Sequence, residues 1–240
     1  MKPLTSTASP GLQVGAPWEI YRAGNLTSDG RLIEAYTKAG DIGNYHAMAI
    51  LIPDYDIVMS ILFAGNETSG GKVMRIFSET ATSLLRALES ASRQEAEQTL
   101  AGTYQDESSN STLVLSIDSG PGLVVTNWTI RGVDVPSHYL VYSLQTQAAP
   151  SSPISVRLYP TNFKSCTQQS WRAVFDATTS AEKDAQESSV YWAGGSCATW
   201  TSMDRLIYQY KSLDELVFTI ENKSATSVLP RAFGLQLRKV

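Results

Sequence analysis

Little in this sequence can hold a metal, cross a membrane or attract a polyanion. The 240 residues include only two histidines, His46 and His138, and two cysteines, Cys166 and Cys197. They show no metal-ligand spacing and cannot complete a zinc shell without carboxylates, so neither a metal nor another cofactor is expected. No apolar run approaches the ~20 residues that span a bilayer, which leaves no membrane partner to expect. A net charge of −4 and a pI near 5.2 give no general pull toward nucleic acid. The opening stretch, Met1 to Pro10, is polar and lacks the apolar core of a secretory signal. There is no Gly-x-Ser-x-Gly elbow to mark a hydrolase nucleophile.

What is present is ordinary globular material, 42% hydrophobic and 18% charged, enough for one large or two small domains. Residues 1–16 read as a lead-in loop, Trp18 to Ala23 and Arg31 to Lys38 as strands around a turn cluster. Tyr45 to Ile52 and Ile57 to Ala64 form an apolar, β-branched hairpin hinged at Pro53-Asp54-Tyr55-Asp56. Their nearly continuous hydrophobicity predicts burial on both faces, as in a sheet between helices. The period then changes. Val73, Ile76, Phe77, Thr80, Ala81, Leu84, Leu85 and Leu88 recur at helical spacing, which predicts a long amphipathic helix within 70–100.

From Gly102 onward the texture is short alternating segments: 102–106, 112–118, 122–131, 154–159, 170–177, 204–210, 214–221 and 231–239. Eight such strands predict an antiparallel barrel. The fold class expected is therefore α+β: an antiparallel sheet with a long helix over residues 1–100, then an all-β, barrel-like domain over 101–240. Trp128, Trp171, Trp192 and Trp200 cluster in this second part with Tyr142, Tyr159, Tyr191 and Tyr208. They read as core filling or as the lining of a ligand cavity. His138, near Pro136, reads as a loop residue.

The chemistry-bearing segment is Lys38-Ala39-Gly40-Asp41-Ile42-Gly43, followed by the run to Ile52-Pro53 and the return to Leu62-Phe63-Ala64. A Lys-x-Gly strand, a second glycine three residues later and an Ile-Pro hairpin resemble the penicillin-recognising serine hydrolases of class C β-lactamase type. The fungal β-lactamase-like members, with a C-terminal β-domain that opens on Gly-Thr-Tyr and closes on Leu-Arg-Lys, are the most similar. In that family the segment lies late in the chain, so the resemblance implies the C-terminal portion of a hydrolase.

It also implies roles. Lys38 would polarise the site and Gly40 would admit the substrate. The Asp41 N–H would be one oxyanion donor, and Ala39 and His46 would line the substrate. His46 alternatively reads as a hydrogen-bonded strand histidine. Ala39 cannot donate the hydroxyl hydrogen bond that β-lactam carboxylates use, so a plain ester or amide is the expected substrate. The nucleophile motif is the weak point. Ser69-Gly70-Gly71-Lys72 and Ser180-Ala181-Glu182-Lys183 match Ser-x-x-Lys but follow the Lys-x-Gly strand, the wrong order for the family, and Tyr-x-Asn is absent from the sequence. The chain alone is therefore expected to be inactive and to self-associate or to need an N-terminal half. The alternative is a non-hydrolytic, isomerase-like or ligand-binding pseudoenzyme.

Five sequons, at Asn25, Asn66, Asn110, Asn127 and Asn222, suggest glycosylation and a secreted parent. Without a signal segment, a genuinely short protein would instead be cytoplasmic. Cys166 and Cys197 fit a disulfide in such a protein, closing a loop of about thirty residues and contributing ~3 kcal/mol; two unrelated buried thiols are the other reading.

Overall fold

The computed structural model describes residues 3–24, 26–27, 31–143, 154–176, 178–179, 181, 184–185, 188 and 207–240. The chain divides into two units, Met1–Ser92 and Arg93–Val240.

The first unit is a six-stranded antiparallel sheet in sequential order: β1 (Pro3–Ser6), β2 (Leu12–Gly15), β3 (Glu19–Ala23), β4 (Ile33–Ile42), β5 (Tyr45–Ile52) and β6 (Ile57–Ala64). The lead-in expected to be a loop contributes β1 and β2. Their short, polar sequences carry little strand signal, and pairing to β3 is what holds them. β4 runs ten residues, through the whole Lys-x-Gly segment. A tight turn at Gly43-Asn44, with Gly43 at φ 55°, returns it as β5 and sets Ile42 opposite Tyr45.

Helix α1 (Gly70–Thr99) covers one face of this sheet. Val73, Phe77, Ala81 and Leu85 form a stripe at four-residue spacing and pack with Ile33, Ala35, Met48, Ile50 and Ile52. The opposite face differs from expectation. β6 alternates half-buried and exposed residues along its length, and Val58 and Leu62 are 74% and 75% exposed. Tyr45 and Ile42 are exposed beside them. On this second face Ile20 and Tyr36 are buried, but among the described residues of this unit the part made by β5, β6 and the end of β4 has no cover, so much of the hydrophobic run marked an open face.

In the second unit, β7 (Gly102–Asp106), β8 (Ser111–Ser116), β9 (Leu123–Ile130), β10 (Val133–Asp134), helix α2 (Val135–Ser143), β11 (Ser155–Lys164), β12 (Gln168–Asp176), β13 (Ile207–Tyr208), β14 (Lys211–Ser212), β15 (Glu215–Glu221), β16 (Ser224–Pro230) and β17 (Leu237–Lys239) follow in turn. Eight of these strands are neighbours in the order β9-β11-β12-β15-β16-β17-β7-β8, and β8 pairs with β9 to close the barrel. Every ladder is antiparallel.

The barrel interior is aromatic and aliphatic. Trp128, Tyr104, Phe218, Leu113, Leu123, Leu158 and Leu216 are fully buried. Tyr104 and Trp171 meet Phe218 edge-on at 5.8 and 6.0 Å, and Trp128 stacks on Phe175 at 5.8 Å. The Tyr104 hydroxyl donates to the Leu100 carbonyl at 2.6 Å, and its burial raises its pKa. The last turns of α1 belong to this unit, because Ala96 and Leu100 pack into the same core. The division between the two units falls inside the helix, at Ser92–Arg93.

Two expectations are corrected here. The strand read over 231–239 is confined to Leu237–Lys239, and the preceding Ser224–Pro230 is a strand whose serines and threonine masked its alternation. His138 lies in α2, not in a loop. Asp134 caps that helix by accepting from the Ser137 N–H at 3.0 Å, and Pro136 occupies a first-turn position that needs no amide donor.

Candidate functional site

The Lys-x-Gly segment occupies the end of β4, and two features of the topology expose it. The ladder to β3 ends at the Glu19–Thr37 pair, so residues 38–42 have a strand neighbour only on the β5 side. The period-2 alternation also puts Lys38, Gly40 and Ile42 on the uncovered face, and Ala39 and Asp41 toward α1. Opposite Gly40 stands Ala47, and opposite Ala47 stands Leu62. Together with Tyr45 and Ala64 they floor an open cavity of about 560 Å³. A Cβ built on Gly40 would meet no atom within 4 Å. Packing among the described residues does not require glycine there.

Asp41 does more than the sequence suggested. Its carboxylate is paired with His46 Nδ1 on β5, directly across the ladder. The same carboxylate overhangs the start of α1, where a Cβ on Gly70 would lie 3.5 Å from Asp41 Oδ1. The unpaired N–H groups of a helix start favour an anion in that place. Asp41 thus ties β4 to β5 and sits beside the start of α1. The two-residue turn at Gly43-Asn44 already carried this signal, since it forces residue 41 opposite residue 46. His46 is hydrogen-bonded on the strand, with its side chain 14% exposed, and also lines the cavity.

Lys38 lies on the open face, with Nζ 2.9 Å from Glu19 Oε1 and 3.1 Å from the Ala39 carbonyl. Glu19 is a partner that only the β3–β4 register reveals. Gly40, Asp41 and His46 line the cavity; Lys38 and Ala39 do not. Ala39 packs against the core between the sheet and α1.

Further along the same face, where Ile20 and Tyr36 are buried, the Tyr36 hydroxyl donates to Glu34 Oε2 at 3.1 Å, and Arg22 Nε meets Glu34 Oε1 at 3.1 Å. Burial, helped by the Glu34 carboxylate, raises the Tyr36 pKa.

Ser69 has a structural task. Its carbonyl and hydroxyl oxygens both accept from the Lys72 N–H, at 3.0 and 3.3 Å, which makes it the N-cap of α1. The Lys72 ammonium is turned onto the Glu67 carbonyl. In this arrangement the Ser-x-x-Lys string at 69–72 is a helix start. Ser180 lies outside the described residues.

Cys166 sits in the exposed hairpin tip between β11 and β12 and carries a free thiol, contrary to the expected bridge; Cys197 lies outside the described residues. Asn66, Asn110, Asn127 and Asn222 are exposed, and Asn25 lies outside the described residues. Of the aromatics, Trp128 and Trp171 are core residues and Tyr159 is half-buried. Trp192, Trp200 and Tyr191 lie outside the described residues, as do the side chains of Tyr142 and Tyr208. No cluster of metal ligands occurs among the described residues, and no helix among them is long and apolar enough to cross a membrane.

Comparison with known proteins extends this picture. The chain is 25% identical to a "Beta-lactamase-like protein" of Arthroderma benhamiae, over 95% of its own length and 41% of that protein's. It is 27% identical to "Probable hydrolase clz13" of Cochliobolus lunatus, over 51% of this chain and 20% of that one. "Probable hydrolase M10" of a Phoma species matches at 26% identity over 51% of this chain and 21% of its own. The chain thus spans less than half the length of these relatives. A penicillin-binding protein homologue from Pyrococcus abyssi aligns over 99% of this chain and 40% of its own, at 10% identity. Its TM-score of 0.31 is too low to carry an argument. The model of the family described as "Beta-lactamase-like-like, C-terminal domain" matches residues 92–240. That is more than half of the sequence, and it agrees with the resemblance drawn from Lys38 to Ala64: this chain belongs to the beta-lactamase-like family.

Proposed function

We propose that this chain supplies one wall of a serine-hydrolase site, which acts on a small ester or amide by acyl transfer through a serine ester. One observation carries the proposal: the unpartnered half of β4 flanks an open cavity beside Gly40, where nothing among the described residues fills the space. A carbonyl laid along this strand would have its oxygen beside the Asp41 N–H, with the Lys38 charge on the same face. Asp41 and His46 would hold the strand still, because a displacement of about 1 Å in such a site costs about 100-fold in rate. The nucleophile and its base would come from polypeptide that covers the open face, and the greater length of the hydrolase relatives supports this. The uncovered Val58, Leu62, Tyr45 and Ile42 suit such a cover.

The test is to isolate the native protein with a serum raised against this chain and to label it with a fluorophosphonate. The expected result is a labelled species well above 26.1 kDa, and no label on the 240-residue chain by itself. A labelled 240-residue chain that loses its label on Ser180→Ala, or on both Ser69→Ala and the cap-preserving Ser69→Asp, would overturn the reading.

A second reading, a non-hydrolytic ligand-binding role for the barrel, is favoured by the buried indole N–H groups of Trp128 and Trp171. Neither has a hydrogen-bond partner among the described residues. On this reading, apolar small molecules quench tryptophan fluorescence saturably without covalent labelling.

A further inference from the structure

We propose that one end of the barrel is a binding site for a small organic carboxylate, an anion carried on an apolar or aromatic group. The proposal rests on the ligand-binding reading of the second unit and is independent of acyl transfer.

Three connections meet there: the β9–β10 turn, the β13–β14 turn and the link from β16 to β17. They enclose a cavity of about 460 Å³. Its floor is apolar, made by Leu213, Ala232 and Phe233, and its rim carries Arg131, Lys211 and Gln209. Neither Arg131 nor Lys211 makes an ion pair among the described residues. The acids that follow Lys211 in sequence are already engaged: Asp214 holds Arg172 at 2.8 Å, and Glu215 holds Arg231 at 3.0 Å. Two cations without an ion pair among the described residues, over an apolar floor and in a chain of net charge −4, suit an anion with a hydrophobic body. A guanidinium fork matches a carboxylate in plane and spacing, and the lysine adds a point charge.

The backbone gives independent support. Arg131, Gln209 and Tyr210 all adopt left-handed φ, of 53°, 48° and 61°. None is the glycine, asparagine or aspartate that such a turn prefers. Strain of this kind persists where surrounding structure enforces it, and it collects at binding sites. The enforcement is visible: the Arg131 N–H donates to Ser111 Oγ at 2.9 Å, and the Gly132 N–H to the Asn110 carbonyl at 2.9 Å. The base of the Arg131 side chain is thereby fixed. Behind the floor, Phe233 meets Trp128 edge-on at 6.4 Å, so occupancy has an optical reporter.

The experiment is calorimetric and fluorimetric titration of the 240-residue chain with 3-phenylpropanoate, and in parallel with 3-phenylpropanol and inorganic phosphate. The acid is expected to bind saturably, and the alcohol about tenfold more weakly. The Arg131→Gln/Lys211→Gln double variant should lose about tenfold for the acid while keeping its thermal midpoint and its weak affinity for the alcohol. Arg131→Lys, which keeps the charge and loses the fork, should fall between. Acid and alcohol binding alike, an unaffected double variant, or phosphate competing as well as the organic acid would each overturn the site while leaving the ligand-binding reading intact. Absence of saturable binding of either organic probe would overturn both.

Discussion

The two units solve the edge problem of a β-sheet in opposite ways. In the second, β8 pairs with β9 and the eight strands close on themselves, so no long edge is left and every inward side chain has neighbours. In the first, β6 is an eight-residue edge strand with no proline, lysine or glutamate along it, and one face carries apolar side chains into solvent. The barrel is complete within its own sequence. The sheet has the composition of a buried element and half of its burial. On the function proposed above, that open face and the vacant side of β4 are where the remainder of a hydrolase site would be supplied.

The comparison can be broken most forcefully in the barrel. Trp128→Ala removes a fully buried indole from the core and should destabilise the second unit by about 3–5 kcal/mol in chemical denaturation. Gly122→Ala should come next. With φ at 67°, its new Cβ would sit 2.3 Å from the Leu158 carbonyl oxygen, and the backbone must move, at a cost of about 2–3 kcal/mol in the same measurement. The reverse holds on the open sheet. The pair Val58→Ser and Leu62→Ser should change stability by no more than ~0.5 kcal/mol, yet lower the self-association expected of the unaltered chain in light scattering. A concentrated, clean monomer of the unaltered chain would refute that expectation.

The smallest effect is electrostatic. Asp118 is gripped by Arg157 at 2.5 and 3.0 Å, and the hydrogen bond to that guanidinium holds its carboxyl below the usual carboxylate range. A depressed carboxyl pKa stabilises the folded state above the unfolded-chain value, and the contribution is lost as the pH falls through the folded value. Stability should therefore decline on acidification below about pH 4, and Asp118→Asn should remove part of that slope. Solvent screening of this half-exposed pair keeps the effect modest.

Much of this was legible in the residues, for reasons that differ by element. Helix α1 announced itself because an uninterrupted stripe, Val73-Phe77-Ala81-Leu85, has one interpretation at its length. The hairpin of β5 and β6 was clear from β-branched runs around Pro53, but its second face was misjudged. Composition reports the burial that a strand's sequence is suited to, not whether a cover is present. β16 and α2 were hidden by serines and by a proline, residues whose local preferences were overruled by ladder pairing and by an Asp134 cap. Within the site, the Asp41–His46 pairing followed from turn length and was within reach. The Glu19–Lys38 contact depended on a register between segments separated by a turn cluster, which no local pattern encodes.

The cap at Ser69 has a practical consequence for enzymology. Anyone testing the Ser-x-x-Lys string by Ser69→Ala will shorten or fray a thirty-residue helix whose first turn lies under Asp41, at a cost of about 1 kcal/mol. Lost activity would then mimic a missing nucleophile. Ser69→Asp separates the two meanings, since aspartate caps a helix as well as serine but cannot form the serine ester. Retained function in that variant would assign the hydroxyl to architecture alone.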